Sequence, residues 1–215
     1  AVFPEHSPDP AARRRAVERA VRPLAPEVAE ALDAQNARLA PSGARQAHLR
    51  ALRKGAAAVV TGQQVGLFLG PLYTLYKAAS AVVTARALSA ESGQTVVPIF
   101  WLQTEDHDLP EIATCYLRGA NCETLAFSLP ASAEDRISIA HQTLPAEVAT
   151  CLDTLHTELG NQPHAPEHLA RLAQHYRSGV GWATAFAGVI AELFADEGLV
   201  VIDPRDAALA RAAST

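Results

Sequence analysis

Ala56-Ala57-Ala58-Val59-Val60-Thr61-Gly62-Gln63-Gln64-Val65-Gly66-Leu67-Phe68-Leu69-Gly70-Pro71-Leu72-Tyr73-Thr74-Leu75-Tyr76-Lys77 is the stretch that decides the fold. Ala56 to Val60 is an apolar run too short for a helix, bounded by Gly55 and Gly62, and reads as a buried strand. A glycine-rich loop follows. Pro71 suits a first helical position, and a helix is expected from there to about Ala90. Leu72, Leu75, Tyr76, Ala79, Val82 and Val83 recur at helical spacing and are expected to face the core, with Tyr73, Lys77, Ser80 and Thr84 on another face. Thr95 to Leu102 is a second apolar run with the character of a strand covered on both faces. Pro98 lacks a ladder donor, so an edge position or a bulge is expected there. Strand, glycine loop, helix and strand make a βαβ unit with parallel strands. The fold class is therefore α/β, with a Rossmann-like parallel sheet at its core.

Outward from this unit, residues 1–55 read as a helical N-terminal segment. Helices are expected from Asp9-Pro10 to Arg22, from Pro26 to before Pro41, and from the N-cap Ser42 to Lys54. The first βαβ unit occupies 56–110. Residues 111–180 read as a small β/α insertion, with strands at Ile112–Leu117, Glu123–Leu129 and Arg136–His141 and helices at Pro145–Leu159 and Pro166–Tyr176. Residues 181–215 supply a return helix from Gly181 to Ala195 and a third buried strand, Leu199 to Ile202. Trp182, Phe186, Val189, Ile190, Leu193 and Phe194 share one stripe of that helix.

Composition narrows the function. Hydrophobic residues make up 49% of the 215, and the net charge is -5 without a long basic run, which argues against nucleic acid as a partner. No apolar stretch approaches the roughly 20 residues of a membrane span. Cys115, Cys122 and Cys151 are too few and too irregular for a disulfide framework or a zinc site, so a reducing cytoplasm is expected. The chain has no methionine and reads as part of a longer protein.

If the three strands are parallel neighbours, their C-terminal ends gather Thr61 to Gln64, Gln103 to Asp108, and Asp203 on one sheet edge, where open α/β sheets bind ligands. Gly62, Gly66 and Gly70 would permit tight turns and close ligand approach. Amides before the Pro71 helix would favour an anion, with Gln63, Gln64, Tyr73 and Lys77 nearby. Pro98-Ile99-Phe100-Trp101-Leu102-Gln103-Thr104-Glu105-Asp106-His107-Asp108 ends in three carboxylates around an imidazole. Such a set suits proton transfer, with Glu105, Asp106, His107 and Asp108 as catalytic candidates. The same set has donors for a divalent metal, although nothing in the sequence requires one. His164-Ala165-Pro166-Glu167-His168 spells a zinc-protease pattern, but Pro166 stands where a continuous helix would be needed.

Taken together, these motifs resemble the bacillithiol-biosynthesis cysteine-adding enzyme family. The resemblance is carried by Thr61 to Lys77, by Val97 to Ile112, and by Gly198-Leu199-Val200-Val201-Ile202-Asp203-Pro204, in that order. It implies ligation of cysteine to glucosaminyl-malate, a Rossmann-like core with insertions, and a C-terminal coiled coil supporting homodimers in longer members. The core also resembles class I aminoacyl-tRNA synthetases, whose His-x-Gly-His signature is replaced here by Gln63-Gln64-Val65-Gly66. The residues leave ATP or ADP open as a cofactor. Rival readings are a nucleotidyl-transfer enzyme acting on another amino acid or sugar, and a non-catalytic ligand-binding module.

Overall fold

The computed structural model describes residues 8–119, 122–130 and 137–213. Helix α1 (Pro10–Ala20) starts where the Asp9 carboxylate accepts from the Ala11 and Ala12 amides. Helix α2 spans Pro26–Asn36, and α3 (Gly43–Arg53) starts at Ser42, whose hydroxyl accepts from Arg45 N. Strand β1 (Ala57–Gln64), helix α4 (Tyr73–Ser92) and strand β2 (Val96–Gln103) form the expected βαβ unit. Later come α5 (Leu109–Ile112), the antiparallel pair β3 (Thr114–Arg118) and β4 (Thr124–Ser128), then α6 (Val148–Leu159) and α7 (Ala165–His175). Helix α8 (Trp182–Leu193), strand β5 (Val200–Ile202) and helix α9 (Ala207–Ala213) complete the described chain.

The main sheet is parallel, in the order β1-β2-β5. Alternation along β2 sorts the layers, because successive side chains leave opposite faces. Phe100 and Leu102 join the core built with α4 and α8, while Val97 and Ile99 join α2 and α3 on the other face. Helix α1 sits with α4, where Val17 packs on Ala57, Ala85 and Val96. One buried cation fastens the layers. Arg45 is 2% exposed and donates to the carbonyls of Ala191, Leu199 and Ala40, tying α3 to the end of α8 and the start of β5.

Several expectations need correction. β2 is the central strand, not an edge. Pairing with β5 covers only Ile99–Trp101, so Pro98 has a partner on the β1 side alone and costs the sheet little. The α4 stripe is shifted in phase. Thr74, Ala78, Ala81, Val82 and Ala85 are buried, whereas Leu72, Tyr76 and Val83 are exposed. Among the described residues 137–141, no strand forms at the expected third position of the insertion. Residues 131–136 lie outside the described part, and Ile139–His141 is a single 3-10 turn. Its backbone is taken by the loop after β2: Ala140 N donates to Thr104 O and Ile139 N to Asp106 O. The insertion's first strand starts two residues late because Asp108 caps the short helix α5. Helix α9 was not anticipated; Asp206 Oδ1 accepts from Ala208 N at its start. Among the described residues no helix is long and apolar enough to cross a membrane.

Candidate functional site

β1 runs four residues further than the apolar run suggested, so Thr61, Gly62, Gln63 and Gln64 belong to the strand. That extension has a chemical consequence. Neighbouring residues of a strand face opposite sides, so the two glutamines are sent to different places. Gln63 faces α4: its Nε2 donates to Tyr73 Oη (3.1 Å), and its Oε1 accepts from Lys77 Nζ (2.8 Å). Lys77 also reaches Gly62 O at 3.3 Å and lies 5.2 Å from the centre of the Tyr73 ring. Gln64 faces the loop after β2, where its Nε2 donates to Asp106 Oδ2 (2.9 Å) and Glu111 Oε2 (2.8 Å). Both partners are acceptors, so the amide nitrogen is the end that must face them.

Asp106 is the best-held carboxylate of the set. Its Oδ1 accepts from the backbone N–H of His107 (2.7 Å) and of Asp108 (3.1 Å). The Gln64 amide first, then these N–H groups, hold its carboxyl below the ordinary value. His107 Nδ1 lies 3.9 Å from Asp106 Oδ1, beyond hydrogen-bond reach, and the imidazole is exposed. Asp108 accepts from Glu111 N at the start of α5. Glu105 and Gln103 are exposed and make no side-chain hydrogen bond among the described residues. Asp203 belongs to a separate clamp. Its Oδ1 accepts from Thr104 Oγ1 (2.6 Å) and Arg205 N (3.0 Å), while Gln35 bonds its backbone N and O. Thr61 lines a groove on the open side of β1 with Val60, Tyr76 and Lys77.

The turn after β1 is rigidly held. Trp182 Nε1 donates to Val65 O (2.5 Å), Tyr176 Oη to Gly66 O (3.4 Å), and Phe68 meets the Tyr176 ring edge-on at 5.0 Å. Phe68 and Leu69 sit at φ 52° and 64°, a left-handed conformation kept here by burial. Gly66 has to be glycine, since a Cβ there would lie 2.0 Å from Gly70 O. A Cβ on Gly62 would also be crowded, at 2.7 Å from the Trp101 carbonyl oxygen.

The helix-end anion site expected at Pro71 is not available in that form. Helix α4 begins at Tyr73, and the amides of Thr74 and Leu75 already bond back to Pro71 O and Leu72 O. Lys77 and Gln63 are the groups on that side that can meet an anion.

Two cavities bear on the choice of site. One of about 280 Å3 lies under the glycine turn and includes Gln63, Gln64, Gly66, Gly70, Tyr73 and Glu111 in its walls. A larger one, about 690 Å3, lies at the opposite end of the sheet, by Gly93, Thr95 and Val96. Its Arg86 is already paired with Glu197, and it sits at strand N-termini, whereas parallel sheets bind ligands at the other end. The smaller cavity is the stronger candidate.

Glu111, Thr104, Ser138 and Cys115 are given no role in the site by the sequence alone, although Thr104 and Glu111 lie within its second motif. Glu111 had a signal: Asp108 followed three residues later by Glu has the spacing of a helix capping box. The other three take their meaning from distant partners, as Ser138 Oγ does in donating to Thr104 O at 2.5 Å. His164 precedes α7 rather than lying on it, so the zinc-protease pattern has no helix to support it. Among the described residues, no three or more His, Cys, Asp or Glu side chains are arranged to hold a metal ion.

A parallel three-stranded sheet between helical layers, with a polar site at its C-terminal edge, defines a Rossmann-like α/β domain. The chain belongs to the family described as bacillithiol biosynthesis BshC, N-terminal Rossmann-like domain, which it matches over residues 2–215. It is 36% identical over 203 residues to a Salinibacter ruber protein named "Putative cysteine ligase BshC", covering 93% of this chain and 37% of the relative. Relatives of the same name from Koribacter versatilis and Heliobacterium modesticaldum are each 37% identical, over 87% and 68% of this chain and 34% and 27% of theirs. The chain thus spans about a third of the length of these relatives.

Proposed function

We propose that this chain carries part of the active site of a cytoplasmic ligase that joins cysteine to glucosaminyl-malate through an amide bond. The observation behind this reading is the division of labour between Gln63 and Gln64. One side of β1 offers a cation with amide and phenol groups; the other offers carboxylates and an imidazole. An amide-forming enzyme needs both. A carboxylate or phosphate has to be held while its charge is managed, and an amine has to lose a proton as its nitrogen attacks.

In this account Lys77 and Gln63 hold an anionic group, such as the malate carboxylate. Asp106, fixed by Gln64, orients the amine, and His107 takes its proton. Closing the 3.9 Å gap between His107 and Asp106 on substrate binding is part of the reading, since catalytic hydrogen bonds often tighten only in the complex. ATP is the activating co-substrate to test for the cysteine carboxyl. Homodimerisation of the full-length protein and indifference to nucleic acid and membranes belong to the same proposal, the former from the family resemblance and the latter from charge and composition.

The test is mass-spectrometric detection of the cysteinyl product after incubating the full-length protein with cysteine, glucosaminyl-malate and ATP, with each component omitted in turn. Product that requires both substrates supports the reading. No product, from a folded full-length protein, sinks it.

A further inference from the structure

The cavity of about 280 Å3 beside β1 has a composition that selects a ligand. Its carboxylate, Glu111, is exposed and is paired with no Lys, Arg or His among the described residues. Glu111 Oε2 accepts from Gln64, and Glu111 Oε1 has no partner among the described residues. Gln64 Oε1 likewise has no hydrogen bond among the described residues, while its Nε2 donates to Asp106 and Glu111. The cavity therefore offers two unbonded acceptors and has no Lys, Arg or His among its lining residues. Its remaining walls are mixed: Gln63, Tyr73, Thr114 and Tyr116 carry polar groups, and the rest is glycine or apolar. Cys115 is 4% exposed, and its Sγ would lie 3.3 Å from a Cβ at Gly70. Leu72 and Tyr116, each about two-thirds exposed, flank the cavity. Small-molecule sites usually run to ~300–1,000 Å3, so this one suits an amino acid better than a nucleotide.

We propose that the cavity walled by Gln64, Gly70, Leu72, Glu111, Cys115 and Tyr116 is the subsite for the amino-acid substrate, and that Glu111 is its ammonium-recognising residue. The inference rests on the ligase reading for the identity of that amino acid, cysteine. The ammonium sits between Glu111 Oε1 and Gln64 Oε1. The methylene and thiol lie against Gly70 and Cys115. Burial pushes the Cys115 thiol up to about 11, so it stays protonated at neutral pH and presents a neutral floor. Lys77, across β1, is left for the other substrate's anionic group.

The experiment is calorimetric titration of the full-length protein, kept reduced, with L-cysteine, cysteamine and 3-mercaptopropionate. Cysteine and cysteamine carry the ammonium; 3-mercaptopropionate lacks it. Cysteine and cysteamine are expected to bind and 3-mercaptopropionate to fail. Glu111→Gln, which keeps shape and is exposed, should weaken cysteine about ten- to hundredfold through loss of a charge-assisted bond. Binding of glucosaminyl-malate should be unchanged in that variant, which also checks that it is folded. Equal binding of 3-mercaptopropionate, no cysteine binding, or indifference to Glu111→Gln overturns the subsite. Product formation with cysteine affinity untouched by Glu111→Gln leaves the ligase reading standing without it. Glu111-dependent cysteine binding without product leaves the subsite standing without the ligase.

Discussion

Gly66→Ala should destabilise this protein far more than Gly43→Ala, although the chemical change is the same. A Cβ on Gly66 would lie 2.0 Å from the Gly70 carbonyl oxygen and 3.0 Å from its carbon, well inside the 3.4 Å at which ordinary contact begins. The obstacle is backbone, so the turn itself has to open. Overpacking of this kind costs about 1–3 kcal/mol. Opening the turn also pulls Val65 O and Gly66 O away from Trp182 and Tyr176, at about 1 kcal/mol for each buried hydrogen bond. The total is about 3–5 kcal/mol, or roughly 6–20 °C in Tm for a chain of this size. Gly43 begins α3 and would place its Cβ with nothing within 4 Å. Alanine there should be neutral or stabilising by up to ~1 kcal/mol. Thermal unfolding of both variants, followed by circular dichroism, decides the matter. If Gly66→Ala melts within about 2 °C of the parent, the turn is not the rigid support described here.

Three further outcomes are expected. His107→Ala should lower kcat about 10²–10⁴-fold with KM little changed; a rise in KM alone would remove the proton-transfer role. Gln64→Leu should raise the Asp106 pKa toward its ordinary 3.8, because the amide is the largest cause of its depression. The sign follows from linkage. A depressed carboxyl stabilises the native state at neutral pH, and that stabilisation is lost as pH falls through the native pKa, below 3.8. The variant should therefore titrate higher by carboxyl NMR, and an unchanged Asp106 titration contradicts the arrangement. Against a thiol reagent at pH 8, exposed Cys122 should react quickly and buried Cys115, with its pKa near 11, only on unfolding. Fast reaction at Cys115 would mean that the cavity floor is open.

The sequence carried the scaffold well because short apolar runs bounded by glycine leave few alternatives to a buried strand. β1, β2 and β5 and most helix starts are legible in this way, down to the caps at Asp9 and Ser42. Local pattern failed where a distant partner decides. Val83 and Tyr76 look like core positions on helical spacing, but both are exposed, Tyr76 in the groove beside β1. Ile139–His141 has strand character in isolation, yet its backbone is claimed by Thr104 and Asp106. Within the site, the two motifs were legible and their joint edge followed from topology. The sorting of Gln63 from Gln64 was not, because it depends on β1 continuing past its apolar run. Asp203 was placed at the correct edge, but its carboxylate is engaged with Thr104, a residue whose buried hydroxyl gives no signal along the chain.

The most direct test of the site is backbone NMR of isotope-labelled protein titrated with cysteine and with glucosaminyl-malate. Shift changes are expected at Gln63, Gln64, Gly66, Tyr73, Lys77, Asp106 and Glu111. Changes confined to the larger cavity around His48, Arg86 and Glu197, at the opposite end of the sheet, would contradict this placement of the site.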